Sequence, residues 1–383
     1  MMTIPLDYET LRLVWWLFLG VLLIGFAIMD GFDLGVGTLL PFIARTDTER
    51  RVLINTIGPV WEGNQVWLVL GGGAVFAAFP PIYAAAFSGF YLAMFLTLVA
   101  LILRPVGFDF RNKVKDRRWR RVWDGGLFLG GFVPALVFGV AFGNLLLGVP
   151  FRLDADLRVF YEGGFLGLLN PLGLLAGLLS VAMLVMHGAA YLNIKTDGEI
   201  QARARRALGI GAVATVALFA LGGLGVSSAV HGYVITSVVD TVGPSNPLLK
   251  VVAREPGAWL ANYGRHPWMI AAPLLGFAGA AAALVLVRTR AEGMTFIATA
   301  LSVTGIIATA GVSLFPFLMP SSLDPKSSLT AWDATSSHFT LFVMMVATLI
   351  FLPIILAYTS FVFRVLRGKV TAEYVEKNST SLY

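Results

Sequence analysis

Hydrophobic runs of about twenty residues or more recur along the whole chain, separated by short polar or proline-bearing breaks. That is the length a helix needs to cross a hydrocarbon core of ~30 Å. The runs are continuously apolar and lack the period-two alternation of an outer-membrane barrel, so they predict helices that satisfy their own backbones. Nine spans are expected, at roughly 12–38, 52–79, 81–107, 122–147, 165–193, 207–230, 267–287, 293–317 and 338–363. The first and fifth exceed the ~20 residues required, so each should tilt or project beyond the bilayer. Pro41 is expected to close the first helix, and Pro80-Pro81 to part the second from the third. The run from Trp15 to Gly31 has no basic leader or small-residue cleavage site, and reads as a retained span rather than a signal peptide.

Composition agrees: 57% of the 383 residues are hydrophobic and 13% charged, against about 25% charged in soluble domains. The fold class is therefore all-α integral membrane. With no cysteine, the chain cannot hold an iron–sulfur cluster, a thiolate-ligated haem or a disulfide. The net charge of +6 points to membrane topology and not to nucleic acid. Of the 28 Lys/Arg, 20 fall on one side of the predicted spans: Arg45, Arg50 and Arg51, seven within 111–121, Lys195, Arg203, Arg205, Arg206, Arg288, Arg290, Arg364, Arg367, Lys369 and Lys377. Seven lie opposite, and Arg104 sits within a span. The positive-inside rule then puts the N-terminus outside and the C-terminus in the cytoplasm. The longest connection, about 231–266, is extracytoplasmic, rich in Pro, Gly, Asn and Ser, and expected to form an ordered cap with little regular structure. An echo of Met29-Asp30-Gly31 in Met186-His187-Gly188 hints at two four-helix halves plus a ninth helix.

Four polar clusters interrupt the apolar spans. Asp30, Asp33 and Gly37 follow i, i+3, i+7 spacing and share one helix face. They are either helix-to-helix hydrogen-bonding groups or a proton entry. The second cluster is Trp61-Glu62-Gly63-Asn64-Gln65-Val66-Trp67. It lies on a run that starts near Val52 and fades near Phe79, and the helical rise places Glu62 roughly 15 Å in, near the midplane. A carboxylate there costs several kcal/mol unless paired, hydrated or protonated. Glu62 and Gln65 are one turn apart, with Asn55 two turns away on the same face, while Trp61 and Trp67 read as packing elements. A structural pin and a proton relay both fit.

Arg104, in Arg104-Pro105-Val106-Gly107-Phe108-Asp109, either snorkels to the interface or pairs with a buried acid. Asp124, at the predicted start of the fourth span, is most simply a charge complementing the helix dipole. Together the acids form a depth series: Asp109 and Asp124 near the surface, Asp30 and Asp33 deeper, Glu62 innermost. Of the four histidines only His187 lies well inside a span, which is a poor haem signal and reads more simply as a hydrogen-bonded bundle residue. No nucleotide loop, nucleophile–base pair or HExxH motif is present.

Several long strings resemble subunit II of the cytochrome bd-type quinol oxidases. They are Gly25-Phe26-Ala27-Ile28-Met29-Asp30-Gly31-Phe32-Asp33-Leu34-Gly35, the Trp61–Trp67 string, Phe76-Ala77-Ala78-Phe79-Pro80 and Ala86-Phe87-Ser88-Gly89-Phe90-Tyr91. Arg104–Asp109, Phe315-Pro316-Phe317-Leu318-Met319-Pro320-Ser321-Ser322 and Trp332-Asp333-Ala334-Thr335-Ser336-Ser337 belong with them, so the likeness runs from Tyr8 to the tail. The resemblance implies an electrogenic terminal oxidase of a bacterial inner membrane that oxidises quinol and reduces dioxygen to water. It implies that haem b and haem d, three haems in all, sit in a partner subunit I, with which this chain forms a pseudo-symmetric heterodimer in lipid. It also implies two four-helix bundles, 1–150 with the acidic path and 151–330 with the 231–266 loop, then the ninth helix and tail at 331–383. The family's proposed proton path maps to Asp30, Asp33, Glu62 and Asp109, with Arg104, Asp124, Trp61, Asn64 and Gln65 in support. No catalytic residue and no metal ligand is expected in this chain. A quinone held as a structural lipid and a small accessory subunit occur in some members, and no residues here are assigned to either.

The chain departs from the family pattern at two places. The family's Trp-Asp-Gly-Asn-Gln string often has Asp where this chain has Glu62, which moves the carboxylate by about one methylene. His187 replaces an uncharged polar residue, and either titrates or marks the cyanide-insensitive branch. A proton-coupled secondary transporter is the competing class, although its helix breaks should recur in both halves. A purely structural subunit is the third reading.

Overall fold

The computed structural model describes residues 4–289, 291–378 and 382–383, so Arg290 of the charge asymmetry lies outside the described residues. In chain order the elements are α1 (Tyr8–Ile43), α2 (Asp47–Ile57), α3 (Trp61–Ala78), α4 (Pro80–Gly89), α5 (Tyr91–Phe110), α6 (Arg117–Leu147), β1 (Phe151–Leu153) and β2 (Val159–Tyr161). They continue with α7 (Pro171–Lys195), α8 (Gly198–Ala229), β3 (His231–Ile235), β4 (Val252–Pro256), α9 (Ala261–Arg265), α10 (Ala271–Leu286), α11 (Glu292–Leu314), β5 (Phe317–Met319), β6 (Leu329–Thr330), α12 (His338–Val365) and α13 (Ala372–Lys377). Among the described residues eight helices are long and apolar enough to cross a membrane, and the total is nine if the bent pair α3–α4 is counted as one span. The chain is an all-α, multi-pass membrane protein.

Two of the expected spans are not continuous helices. The run 52–79 breaks at Gly58-Pro59-Val60, between α2 and α3. Pro59 lacks the N–H that a continuing helix would use, and the residue before a proline is pushed away from α geometry. Glycine tolerates it, and Gly58 stays helical while its N–H closes α2 on the Ile54 carbonyl at 2.8 Å. The run 81–107 divides at Phe90 into α4 and α5, and α4 turns by 120° from α3 at Phe79. Pro41 does not end α1 at once, because the helix runs on to Ile43.

The connections carry more regular structure than their composition predicts. The 231–266 segment holds the antiparallel pair β3–β4, in which Tyr233 pairs with Arg254. Two smaller hairpins, β1–β2 and β5–β6, complete that end of the molecule.

The axis of the fold is α1. Every residue from Asp30 to Leu40 is buried, because glycines admit its neighbours. A Cβ on Gly188 of α7 would lie 2.7 Å from the Val36 nitrogen, and one on Gly131 of α6 would lie 2.5 Å from the Leu34 carbonyl oxygen. Small residues of this kind let membrane helices approach closely where no hydrophobic force drives them together. The echo in the sequence thus falls on α1 and α7, which pack directly together through Gly35 and Gly188.

Candidate functional site

Helices α1, α3 and α5 meet around one guanidinium. Arg104 of α5 grips Asp30 of α1 with both arms, Nη1 to Oδ2 at 2.9 Å and Nη2 to Oδ1 at 2.6 Å. Asp33, one turn along α1, lies 3.8 Å from Arg104 Nη2 and accepts a hydrogen bond from Asn64 Nδ2 at 2.8 Å. All four side chains are buried. Trp61 covers the guanidinium at 5.9 Å and leans on Phe108 at 5.6 Å, while Gly130 leaves room for the arginine stem. Of the two readings open for Arg104, pairing with buried acids is the one observed, and snorkelling is not.

The cluster holds two carboxylates and one guanidinium, so its charges do not balance if both acids are ionised. Asp33 Oδ1 is buried without a hydrogen-bond partner among the described residues. Beside it is a void of about 10 Å³, lined by Asp33, Arg104, Ile54, Ile57 and Phe108 among others. That volume is at the threshold for a single water molecule.

Glu62 is not where the sequence places it. The break at Gly58-Pro59 puts it in the first turn of α3, a helix of 18 residues that rises about 27 Å in all. Glu62 therefore belongs to one end of its span and not to the midplane, and it is exposed on the outside of the chain. The depth series is reordered: Asp30 and Asp33 are innermost, and Glu62 and Asp109 outermost. Asn55 is likewise separated from Glu62, on α2. Asp109 is exposed at the end of α5, and neither it nor Glu62 forms an ion pair among the described residues. Gln65 is half-buried and makes no side-chain hydrogen bond to the described residues. Trp67 packs as expected, its ring occupying the space a Cβ on Gly25 would need.

Asp124 also departs from its expected role. It lies in the second turn of α6, whose N-cap is Asp116, accepting from the Arg118 N–H at 2.9 Å. Asp124 instead receives Arg111 Nε at 2.5 Å and lies 3.5 Å from Arg50. Arg111 is fully buried and also reaches Asp47 at 2.8 Å, where Arg120 joins at 2.6 Å. Across the same end Arg203 pairs with Glu49, and Arg205 and Lys369 with Glu292. The basic connections assigned to one side do assemble on one face, called here the basic end. Nothing in the sequence marks Arg111 among the six other basic residues of 111–121. The buried ion pair that singles it out is a tertiary fact.

His187 is fully buried on α7, its Nδ1 2.8 Å from the Thr299 hydroxyl and its Nε2 3.0 Å from the Ile28 carbonyl, with Phe296 stacked at 4.5 Å. Both ring nitrogens are engaged, so the residue does not fit an axial haem ligand. Among the described residues no three His, Asp or Glu side chains group as metal ligands.

The model of the cytochrome bd terminal oxidase subunit II family matches residues 11–366. The chain belongs to that family. It is 52% identical over 378 residues to cytochrome bd-I ubiquinol oxidase subunit 2 of Escherichia coli (strain K12), covering 99% of this chain and 100% of the relative. A probable cytochrome oxidase subunit 2 of Haemophilus influenzae is 49% identical with the same coverage. The Bacillus subtilis (strain 168) cytochrome bd ubiquinol oxidase subunit 2 is 34% identical over 94% of this chain and 96% of the relative. A chain of the bd oxidase from Geobacillus thermodenitrificans has the same fold, with a TM-score of 0.63 at 12% identity, covering 95% of this chain and 100% of the other. This subunit of an oxidoreductase complex brings Asp30, Asp33, Arg104, Asn64 and Trp61 into one cluster, leaves Glu62 and Asp109 at the rim, and sends Asp124 to a separate ion-pair network.

Proposed function

We propose that the chain is the haem-free subunit II of a quinol-oxidising, dioxygen-reducing terminal oxidase, and that it carries protons from the basic end toward a haem-bearing partner subunit I. Haem b and haem d belong to the partner in this reading, since the one deeply buried histidine here has both ring nitrogens engaged. The basic end is the cytoplasmic one, because 20 of the 28 Lys/Arg are assigned to it and cytoplasmic loops carry such an excess. Asp109 and Glu62 form the mouth, and Asp33 and Asp30 the inner stations.

The observation that carries the proposal is the unpartnered Asp33 Oδ1 beside a void. A buried carboxylate oxygen left without a hydrogen-bond partner is costly, and one guanidinium neutralises one of the two acids. The second is neutral when it carries a proton, which makes the pair a place to hold one and pass it on. Arg104 grips and fixes Asp30, and Asn64 orients Asp33. Glu62 lies on an exposed stripe of α3 that continues through Val69, Gly73 and Phe76, and this stripe is where the partner would receive protons.

The groove of about 350 Å³ between α1, α3 and α12, lined by Trp15, Phe18, Val69, Met344, Phe351 and Leu352 among others, fits the apolar tail of a structural quinone. The two four-helix halves, 1–150 and 151–330, belong to the same proposal, with α12 peripheral: its most apolar window is only 11% buried.

The test is Glu62→Gln in the assembled two-subunit complex. Oxygen reduction slows while the haem spectrum is unchanged. Full turnover would sink the relay role, and loss of haem would make Glu62 an assembly pin instead.

A further inference from the structure

The chain beyond α12 is fastened across the basic end at several points. Lys195 Nζ donates to the Leu366 carbonyl and, at 3.3 Å, to that of Gly368, while the Val370 N–H donates to the Lys195 carbonyl at 2.7 Å. Lys369 pairs with Glu292 at 3.3 Å, and Val375 of α13 is buried in the core that α2 helps to form. The last anchor is Tyr383. Asn55 offers it both halves of a main-chain partner: Asn55 Nδ2 donates to the Tyr383 carbonyl at 2.8 Å, and the Tyr383 N–H donates to Asn55 Oδ1 at 3.1 Å. Arg51 Nε donates to the same carbonyl at 3.2 Å.

The Tyr383 ring lands on the helix break. A Cβ on Gly58 would come within 2.5 Å of its Cδ2 and 2.7 Å of its Cε2, so the contact exists only because residue 58 is glycine. On its other side the ring is 6.0 Å from Phe108, which lines the void beside Asp33. Burial first, and then the charges of Asp109 and Glu62, hold the phenol above the ordinary tyrosine range. The groups that touch it are thus Arg51, Asn55 and Gly58 at α2 and Phe108 from α5, with Glu62 of α3 and Asp109 of α5 within electrostatic reach.

We infer that Tyr383 is a positioning residue for the proton mouth: held by Asn55, it latches the α2–α3 break and forms the wall between Asp109 and Glu62. The inference rests on the proton-path reading above. It assigns a task to Asn55, whose face-sharing with Glu62 the helix break removes. It also gives Gly58 a second reason to be glycine, beyond its place before Pro59.

The experiment compares Tyr383→Ala, Tyr383→Phe, Asn55→Ala and Gly58→Ala in the complete two-subunit oxidase, with Glu62→Gln in parallel. Haem absorbance reports assembly, amide hydrogen exchange reports the break, and quinol-driven oxygen consumption is followed against pH. In Tyr383→Ala and Asn55→Ala, exchange in residues 55–64 should quicken about tenfold, the factor lost with roughly 1.4 kcal/mol of local stability. The pH profile of turnover should shift, while haem content stays level. Gly58→Ala, which displaces the ring without touching the tail, should do the same, and Tyr383→Phe should behave as the parent. Unchanged exchange at 55–64 in both alanine variants of the latch would overturn the inference. So would quickened exchange with the parent's rate and pH profile, provided Glu62→Gln is slow. If Glu62→Gln itself turns over fully, the proton-path reading fails, and the latch's proposed purpose fails with it.

Discussion

Two of the buried charge clusters solve the same electrostatic problem differently. At the end opposite the arginine-rich connection, Lys250 and Asp333 meet one to one, Nζ to Oδ2 at 2.8 Å. Lys250 also donates to the carbonyls of Pro247 and Ser328, and Asp333 accepts the Thr330 N–H at 2.9 Å. Nearby Arg12 is wholly buried with no carboxylate partner among the described residues, its donors spent on Thr335, Ser245 and the carbonyls of Thr241 and Gly243. Burial leaves the Lys250 ammonium below the ordinary lysine range, with Asp333 pulling the other way. These contacts tie α1, the 231–266 cap and the segment before α12 together: Lys250 and Asp333 cancel each other, and the Arg12 guanidinium is met by neutral acceptors alone. The cluster of Asp30, Asp33 and Arg104 has one carboxylate too many, an unpartnered oxygen and a water-sized space. A cluster in which each charge is met, by an opposite charge or by neutral acceptors, is a pin. An unbalanced one with room beside it can change its proton count without dismantling its neighbours.

If that contrast is right, substitutions at the two ends should fail in different ways. Asp333→Ala strands a buried ammonium and should cost about 3–5 kcal/mol, read as a fall in the thermal midpoint of the complex, with turnover per haem unchanged. Asp33→Asn keeps the shape and removes the surplus charge. Its midpoint should hold within about 1 kcal/mol while oxygen consumption drops about tenfold or more, since a lost proton-transfer group typically costs 10²–10⁴. A large stability loss in Asp33→Asn, matching that of Asp333→Ala, would erase the distinction.

The smallest effect concerns the rim of the basic end. Glu49 is pushed up by burial, but hydrogen bonds from Arg203 and from the N–H groups of Arg45 and Thr46 outweigh this and leave its carboxyl below the usual 4.5. A lowered folded value means the contribution is complete above the unfolded value and fades as pH falls through the folded one. Amide exchange at the start of α2, corrected for intrinsic rate, should therefore quicken as the solution is acidified below about 4.5. Glu49→Gln should lose that dependence.

Much of this was legible in the linear pattern, and the exceptions have physical causes. The shared face of Asp30 and Asp33 followed from helical spacing, and both aspartates do meet Arg104. The nine hydrophobic runs correspond to eight apolar helices and the bent α3–α4 pair, yet Gly58-Pro59 divides the second run, which places Glu62 at the rim and not at the midplane. Asp124 looks like a helix-end charge in the linear chain because its partners, Arg50 on α2 and Arg111 at the end of α5, are distant in sequence. The hairpin within 231–266 was hidden by a loop-like composition, since pairing across sixteen intervening residues leaves little local trace. Tyr383 gave no signal at all.

By itself, then, the sequence determined what depends on local composition and periodicity: an all-helical membrane protein, the number of its spans, the gathering of basic connections on one face, and which acids share a turn. Its motifs also pointed to the right family. Only the tertiary structure decided which charges meet. A carboxylate's partner, its depth and the space beside it depend on where separate helices cross, and those crossings are set by glycine contacts and by breaks far apart in the chain. That is why Arg104 proved to be paired, Glu62 peripheral and Asp33 incompletely satisfied.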